Sequence, residues 1–178
     1  MDRLKLELYE DNQFFRKIGF IKISSLDLNC SREDFVSSFQ KKVGGLETFR
    51  DTYFPKEKFK GSIRNLTFDI QRSHTTRTPS IAGVLGQYFE VDGKTRVVFK
   101  TYIPVLTVAL FSILIFAFCW IQVYLAYTNE NNSVLLSSIF LIFSIGFAIR
   151  VFFLFRKEVS DLEYDINREF VYWTYTNP

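Results

Sequence analysis

Residues 101–129 read TYIPVLTVALFSILIFAFCWIQVYLAYTN, a run without a single charged side chain. A helix that crosses the hydrocarbon core of a bilayer needs roughly 20 apolar residues, each advancing about 1.5 Å, to cover about 30 Å. Tyr102–Tyr127 meets that length with slack for tilt. Pro104 stands near its start, where a missing N–H costs a helix little. A second run, SVLLSSIFLIFSIGFAIRVFFLF over 133–155, also reaches spanning length, with Arg150 in its last turns. Two such helices buried in a globular core would leave too little of a 178-residue chain to cover them. The pattern predicts a transmembrane helical hairpin over 101–155, with spans at about 102–127 and 133–155. About a hundred residues precede the first span, which does not read as a signal peptide.

The flanks are of another kind. Residues 1–100 carry 18 basic and 13 acidic side chains and residues 156–178 carry 3 and 5, whereas 101–155 hold only Glu130 and Arg150. Whole-chain averages conceal this split: 48% hydrophobic, 23% charged and a mean hydropathy of +0.06 resemble one soluble domain. So apolar a composition excludes a long disordered tail, and 8 Gly with 4 Pro exclude a collagen-like or low-complexity chain. Two Cys and one His exclude a disulfide framework or a structural zinc site built from Cys and His alone. The unusual number is 21 Phe, of which 9 fall in 101–155. The remaining 12 predict a small soluble core packed mainly with Phe.

Charge also sets the expected orientation. The connector Thr128-Asn129-Glu130-Asn131-Asn132 lacks Lys and Arg, while Lys94, Arg96 and Lys100 precede the first span and Arg156 and Lys157 follow the second. The positive-inside rule then puts both termini in the cytoplasm. Trp120, Tyr124 and Tyr127 would form an outer aromatic belt, with Tyr102 marking the inner one. Asn131-Asn132-Ser133 matches a glycosylation acceptor but lies against the membrane. Arg150 either reaches the headgroups with its long side chain or lines an ion or ligand path, and neither span offers it an acidic partner. Ser144-x-x-x-Ala148, with Gly146 between, would let a neighbouring backbone approach closely, within the hairpin or in a homo-oligomer.

Residues 1–100 read as a cytoplasmic α+β domain built on an antiparallel sheet, PH-like in one reading, with one packed helix. Leu4, Leu6 and Leu8 alternate as in a half-buried strand, as do Leu26, Leu28 and Cys30. Ser31-Arg32-Glu33-Asp34 resembles a capping box with Asp at its last position. Phe35, Phe39 and Val43 then share one helical face, and Gly44-Gly45 stops the helix. Phe59, Gly61 and Ile63, then Leu66, Phe68 and Ile70, alternate in opposite phases across Arg64-Asn65, as in a hairpin or bulge. Asp92-Gly93 signals a type I′ turn that sets Val91 opposite Lys94 and Tyr88 opposite Val97. Residues 156–178 form a cytoplasmic tail. Val159, Leu162, Ile166, Phe170 and Trp173 keep helical spacing, so the tail extends the second span as an amphipathic helix docked on the N-terminal domain or on a partner. Strand formers at Phe170–Thr176 offer a strand instead.

No catalytic constellation is present: one His, no G-x-S-x-G, no phosphate-binding glycine loop and no H-E-x-x-H. No cofactor or metal is expected, and Cys30 reads as a small core residue. Asp27 and Asp69 could become neighbours in the fold, though nothing sequential marks them as a pair. The strongest binding candidate is the loop holding Arg72, His74 and Arg77, whose cationic and hydroxyl groups suit an anion. Lys56, Lys58 and Lys60 share one face at strand spacing and suit anionic headgroups or an edge guarded against aggregation. A net +5 over residues 1–100 is modest, and no motif supports nucleic-acid binding.

The order Phe59-x-Gly61-x-Ile63, Phe68-x-Ile70, Pro79-x-Ile81-x-Gly83, then a membrane hairpin and an amphipathic tail, resembles uncharacterised bacterial two-pass membrane proteins with a cytoplasmic β-rich domain. The resemblance implies a bacterial inner-membrane location and no particular activity. The expectation is a non-enzymatic protein held in the lipid bilayer, whose cytoplasmic domain binds a partner protein or anionic lipid headgroups. The alternative is an oligomeric effector or channel gated by a ligand on that domain.

Overall fold

Asp92 (φ 53) and Gly93 (φ 75) both adopt the left-handed conformation that a type I′ turn requires. The turn joins β5 (Gly83–Val91) to β6 (Lys94–Tyr102) in the expected register, Val91 opposite Lys94 and Tyr88 opposite Val97. This computed structural model describes residues 13–44, 59–64, 66–72, 81–128 and 133–175, so the alternation at Leu4–Leu8 lies outside the described residues. The chain divides into two units, Met1–Ile103 with Arg156–Pro178, and Pro104–Phe155.

In the first unit, β1 (Ile21–Leu28) pairs with β6, while β4 (Thr67–Arg72), β3 (Phe59–Arg64) and the two-residue β2 (Val43–Gly44) continue the sheet beyond β5. The order is β1-β6-β5-β4-β3-β2, antiparallel throughout except for the β2–β3 pair. A short helix α1 (Gln13–Lys17) precedes β1. Helix α2 (Arg32–Lys42) begins as the capping box predicts, the Asp34 N–H donating to Ser31 Oγ at 3.1 Å. It ends one residue earlier than expected, because the extended backbone of Val43 joins β2 and pairs with Phe59. The phase switch after β3 is a tight turn. Leu66 takes φ 72 there and stands exposed instead of continuing the alternation of β4.

The second span and the tail are one helix, α4 (Ser133–Tyr175), so Phe170 is helical and the strand alternative falls away through Tyr175. Val159, Leu162, Ile166 and Phe170 of α4 are fully buried at spacings of three and four, the stripe of a helix lying on a sheet. The Phe170 ring stands edge-on to Phe35, Phe68 and Phe99 at 5.5, 5.7 and 5.9 Å between centroids. Phe39 completes the cluster 5.6 Å from Phe68. Gly86 lies opposite Phe68 on β5, where any Cβ would collide with that ring. Ion pairs flank the stripe on both sides. Lys22 Nζ reaches Glu163 Oε2 at 2.9 Å and Ser160 Oγ at 3.0 Å, and Ser24 donates to Glu163. Across the helix, Arg72 Nη2 donates to Asp165 Oδ2 at 2.6 Å.

The second unit contains α3 (Val105–Thr128) and the first part of α4. Two helices are long and apolar enough to cross a membrane. The first starts later than the sequence predicts: Tyr102 ends β6, paired with Ile21 and Gly83, and the Pro104 carbonyl accepts from Thr107 and Val108 at 2.9 and 3.2 Å. Tyr102 is thus a strand residue of the first unit, not a helical belt aromatic. Large apolar side chains such as Leu106, Ile113 and Phe116 stand open. Hydroxyls are satisfied within their own helix, Ser112 on the Val108 carbonyl and Ser144 on the Phe140 carbonyl, both at 2.8 Å. That arrangement asks nothing of water, as hydrocarbon surroundings require.

Phe170→Ala should cost about 3–5 kcal/mol by emptying the aromatic cluster. Gly86→Ala should cost about 1–3 kcal/mol by forcing Phe68 off its rotamer. Denaturant unfolding of the detergent-solubilised chain, followed by near-ultraviolet circular dichroism, measures both.

Candidate functional site

Of the residues singled out for anion or lipid binding, Arg72 and Lys60 are described, as is Arg150, singled out as a charge within the second apolar run, while His74, Arg77, Lys56 and Lys58 lie outside the described residues. Arg72 ends β4 on the helix side of the sheet, its side chain 17% exposed. Its guanidinium sits between Asp165 at 2.6 Å and Glu158 Oε1 at 3.6 Å. An incoming anion would have to displace two carboxylates. Lys60 is on β3, opposite Gln71, and its side chain points to the other face. Arg150 is exposed on α4.

That other face brings together residues from β4, β5 and β6 that sequence reasoning did not join. Asp69 on β4, Leu85 on β5 and Lys100 on β6 form one cross-strand row. Asp69 Oδ1 is buried without a hydrogen-bond partner among the described residues, and burial pushes its carboxyl pKa up. The Tyr102 ring lies over Gly83, close enough that a Cβ there would meet its hydroxyl at 3.2 Å. Burial first, and the charge of Asp69 second, push the Tyr102 phenol up. Lys100 is only 9% exposed, and its Nζ stands 5.5 Å from the centroid of the Tyr102 ring, within cation–π reach. A carboxylate, an ammonium and a phenol in half-buried surroundings can hold a small polar or zwitterionic group. Period-two alternation places Asp69, Lys100 and Tyr102 away from the core, and only the strand order makes them neighbours.

The remaining candidates resolve separately. Asp27 and Asp69 stand on strands separated by β6 and β5, about 14 Å across the sheet at the usual strand spacing and four residues apart in register, so they are not neighbours. Asp27 instead faces Arg96 across β1–β6, and the two donated hydrogen bonds hold its carboxyl below the usual range. Cys30 is half-buried, and burial outweighs its hydrogen bond with Thr95 to push the thiol up, away from nucleophile chemistry. In the second unit, Phe111, Leu114 and Phe118 of α3 and Phe140, Phe143 and Phe147 of α4 line a cleft of about 710 Å³. Ser144 also lines it, whereas a Cβ at Gly146 would meet nothing within 4 Å. Among the described residues no cluster of His, Cys, Asp and Glu is placed to hold a metal ion. Comparison with protein-family models, with curated protein sequences and with solved structures finds no match to this chain.

Two outcomes follow from this geometry. Arg72→Gln should destabilise the first unit by about 1–3 kcal/mol, because the partly buried Asp165 loses its nearest cation and keeps Arg168 only at 3.9 Å. Adding Asp165→Asn should recover part of that loss in a double-mutant cycle. Asp69 holds its proton more tightly folded than unfolded. Its stabilising contribution is therefore complete below the unfolded pKa of about 4 and is lost as pH rises through the folded value. Asp69→Asn should raise the unfolding midpoint at pH 7, and the gain over wild type should close as pH falls to about 4.

Proposed function

We propose that this chain is a two-pass integral membrane protein, its apolar helices forming a hairpin that anchors a cytoplasmic α+β unit for binding rather than catalysis. The observation that carries the reading is the composition of the first unit. Its core is filled by Phe35, Phe68 and Phe99, which precede both helices, and by Leu162, Ile166 and Phe170, which lie on the continuation of α4 past its charge-poor stretch. Segments sharing one core lie on one side of a bilayer, so the chain between them crosses an even number of times. Two apolar helices with a short connector satisfy that condition as a hairpin. The connector end without Lys or Arg and the basic residues at the other ends favour the cytoplasm as that side. An α4 stripe laid across an antiparallel sheet is consistent with a PH-like arrangement, and the resemblance to bacterial two-pass proteins favours an inner membrane. The bound species is a partner protein or an anionic headgroup, supported by the basic flanks and by the polar row around Asp69, Lys100 and Tyr102.

Topology mapping tests the anchor. A cysteine at Asn131 should react with an impermeant maleimide added outside intact cells, while tags at both termini should stay protected until the membrane is opened. A terminal tag accessible from outside would sink the reading. Crosslinking of the full chain in its native membrane, together with binding to vesicles of different charge, tests the binding role. Neither a specific crosslinked protein nor a preference for anionic lipid would remove it.

A further inference from the structure

The place where the chain passes between the first unit and the apolar helices carries a surface that the sequence reading did not single out. Phe20 is buried, and its carbonyl accepts from the N–H of Ile103, the residue before Pro104, at 3.1 Å. Phe15 stacks on Phe20 at 6.3 Å, and the Phe20 N–H donates to the Phe15 carbonyl at 2.9 Å. Helix α1 is therefore pinned beside the end of β6. Gly19 lies against the aliphatic stem of Arg156, the residue that follows Phe155, with an added Cβ meeting Cγ at 3.2 Å. The Gly19 N–H donates to the Arg16 carbonyl at 3.2 Å, which puts Arg16 within one turn of that contact. Both chain crossings leave the first unit through this one region.

Arg16, Lys17, Arg156 and Lys157 are all exposed, and Phe14 beside them is 61% exposed. The neighbouring cations Lys22 and Arg72 are held by Glu163 and Asp165, whereas none of these four makes an ion pair among the described residues. The acidic residues nearest them in sequence are Asp11, Asp27, Glu158 and Asp161, so basic residues lead in this region without being alone. Four exposed cations where the chain enters and leaves the apolar unit, with an exposed aromatic ring among them, match the chemistry of an anionic bilayer surface: phosphate oxygens for the cations and the acyl boundary for the ring. Covalent continuity argues for the lipid rather than a soluble partner, since Arg156 and Ile103 each adjoin a residue of the apolar unit.

We propose that Phe14, Arg16, Lys17, Arg156 and Lys157 form a juxtamembrane site for anionic phospholipid headgroups, with the Phe14 ring seated at the acyl boundary. The proposal rests on the hairpin-anchor reading. It is tested on the full chain in nanodiscs of brominated phosphatidylcholine, with or without phosphatidylglycerol. The reporter is Phe14→Trp in a Trp120→Phe, Trp173→Phe background. Phosphatidylglycerol should deepen quenching of the new Trp, and high salt should reverse the effect. Arg16→Glu, Lys17→Glu and Lys157→Glu together should weaken the preference for anionic lipid at least about tenfold, with unchanged circular dichroism. Equal quenching in both lipids, or a preference that survives the three reversals, would overturn the site. Release of the wild-type chain by alkaline carbonate would overturn the anchor alone. The comparison of lipids can be read on a released chain as well, so the two failures are distinguishable.

Discussion

Everything in the first unit depends on the return of the chain after its second apolar helix. The face of the sheet formed by Phe59, Phe68, Ile70, Val84, Val97 and Phe99 is apolar across its width. Helix α2 covers one part of it through Phe35 and Phe39. The rest is covered by Val159, Leu162, Ile166 and Phe170, each with no accessible surface. Burial of large side chains contributes about 1.5–3 kcal/mol apiece, a sum no surface ion pair in the unit approaches. Phe170 occupies the centre, touching rings from α2, β4 and β6 at once. Without α4 the sheet would present an aromatic face to solvent, and the first hundred residues do not amount to a closed fold.

The charges flanking α4 add direction to that burial. An apolar stripe on a flat sheet tolerates rotation and sliding, since one hydrophobic contact substitutes for another at little cost. Glu163 meets Lys22 and Ser24 on the β1 side, while Asp165 meets Arg72 on the β4 side. Two carboxylates two residues apart on a helix point to opposite flanks, and each finds a cation only in one register. The clamps are partly exposed, so their contribution is modest in free energy and larger in specificity. Arg72, attractive as an anion ligand in isolation, is therefore engaged within the fold by Asp165 and Glu158.

How far the sequence could be read depends on the range of the interactions involved. Asp92-Gly93 carries its own conformational instruction, so the β5–β6 register was legible to the residue. The Ser31 cap and the stripe of α2 are equally local, and only the last residue of that helix was lost to strand pairing. The extent of β1 was less clear. Ile21 and Ile23 lie on one face and Leu26 and Leu28 on the other, so its two halves show no single alternation. Tyr102 was misplaced because an apolar run shows only where hydrocarbon could begin. Where the sheet ends is decided by Ile21 and Gly83, far away in sequence. The grouping of Asp69, Lys100 and Tyr102 was illegible for the same reason: strand order assembles it, and strand order is written in the core, not in those residues.

The composition of the first unit has a consequence for how the protein comes to exist. Its core cannot close until late in synthesis, because Leu162, Ile166 and Phe170 lie in the C-terminal half of α4. Until that segment arrives, Phe35, Phe68 and Phe99 lack their central partner. In the proposed hairpin topology, a chain that inserted one apolar helix and not the other would place the missing segment across the bilayer, and the core would lack it. Under that proposal insertion and folding would check each other. The odd abundance of Phe follows from the same division, since rings serve the exposed faces of the apolar helices as bulk and the core of the first unit as its main filling.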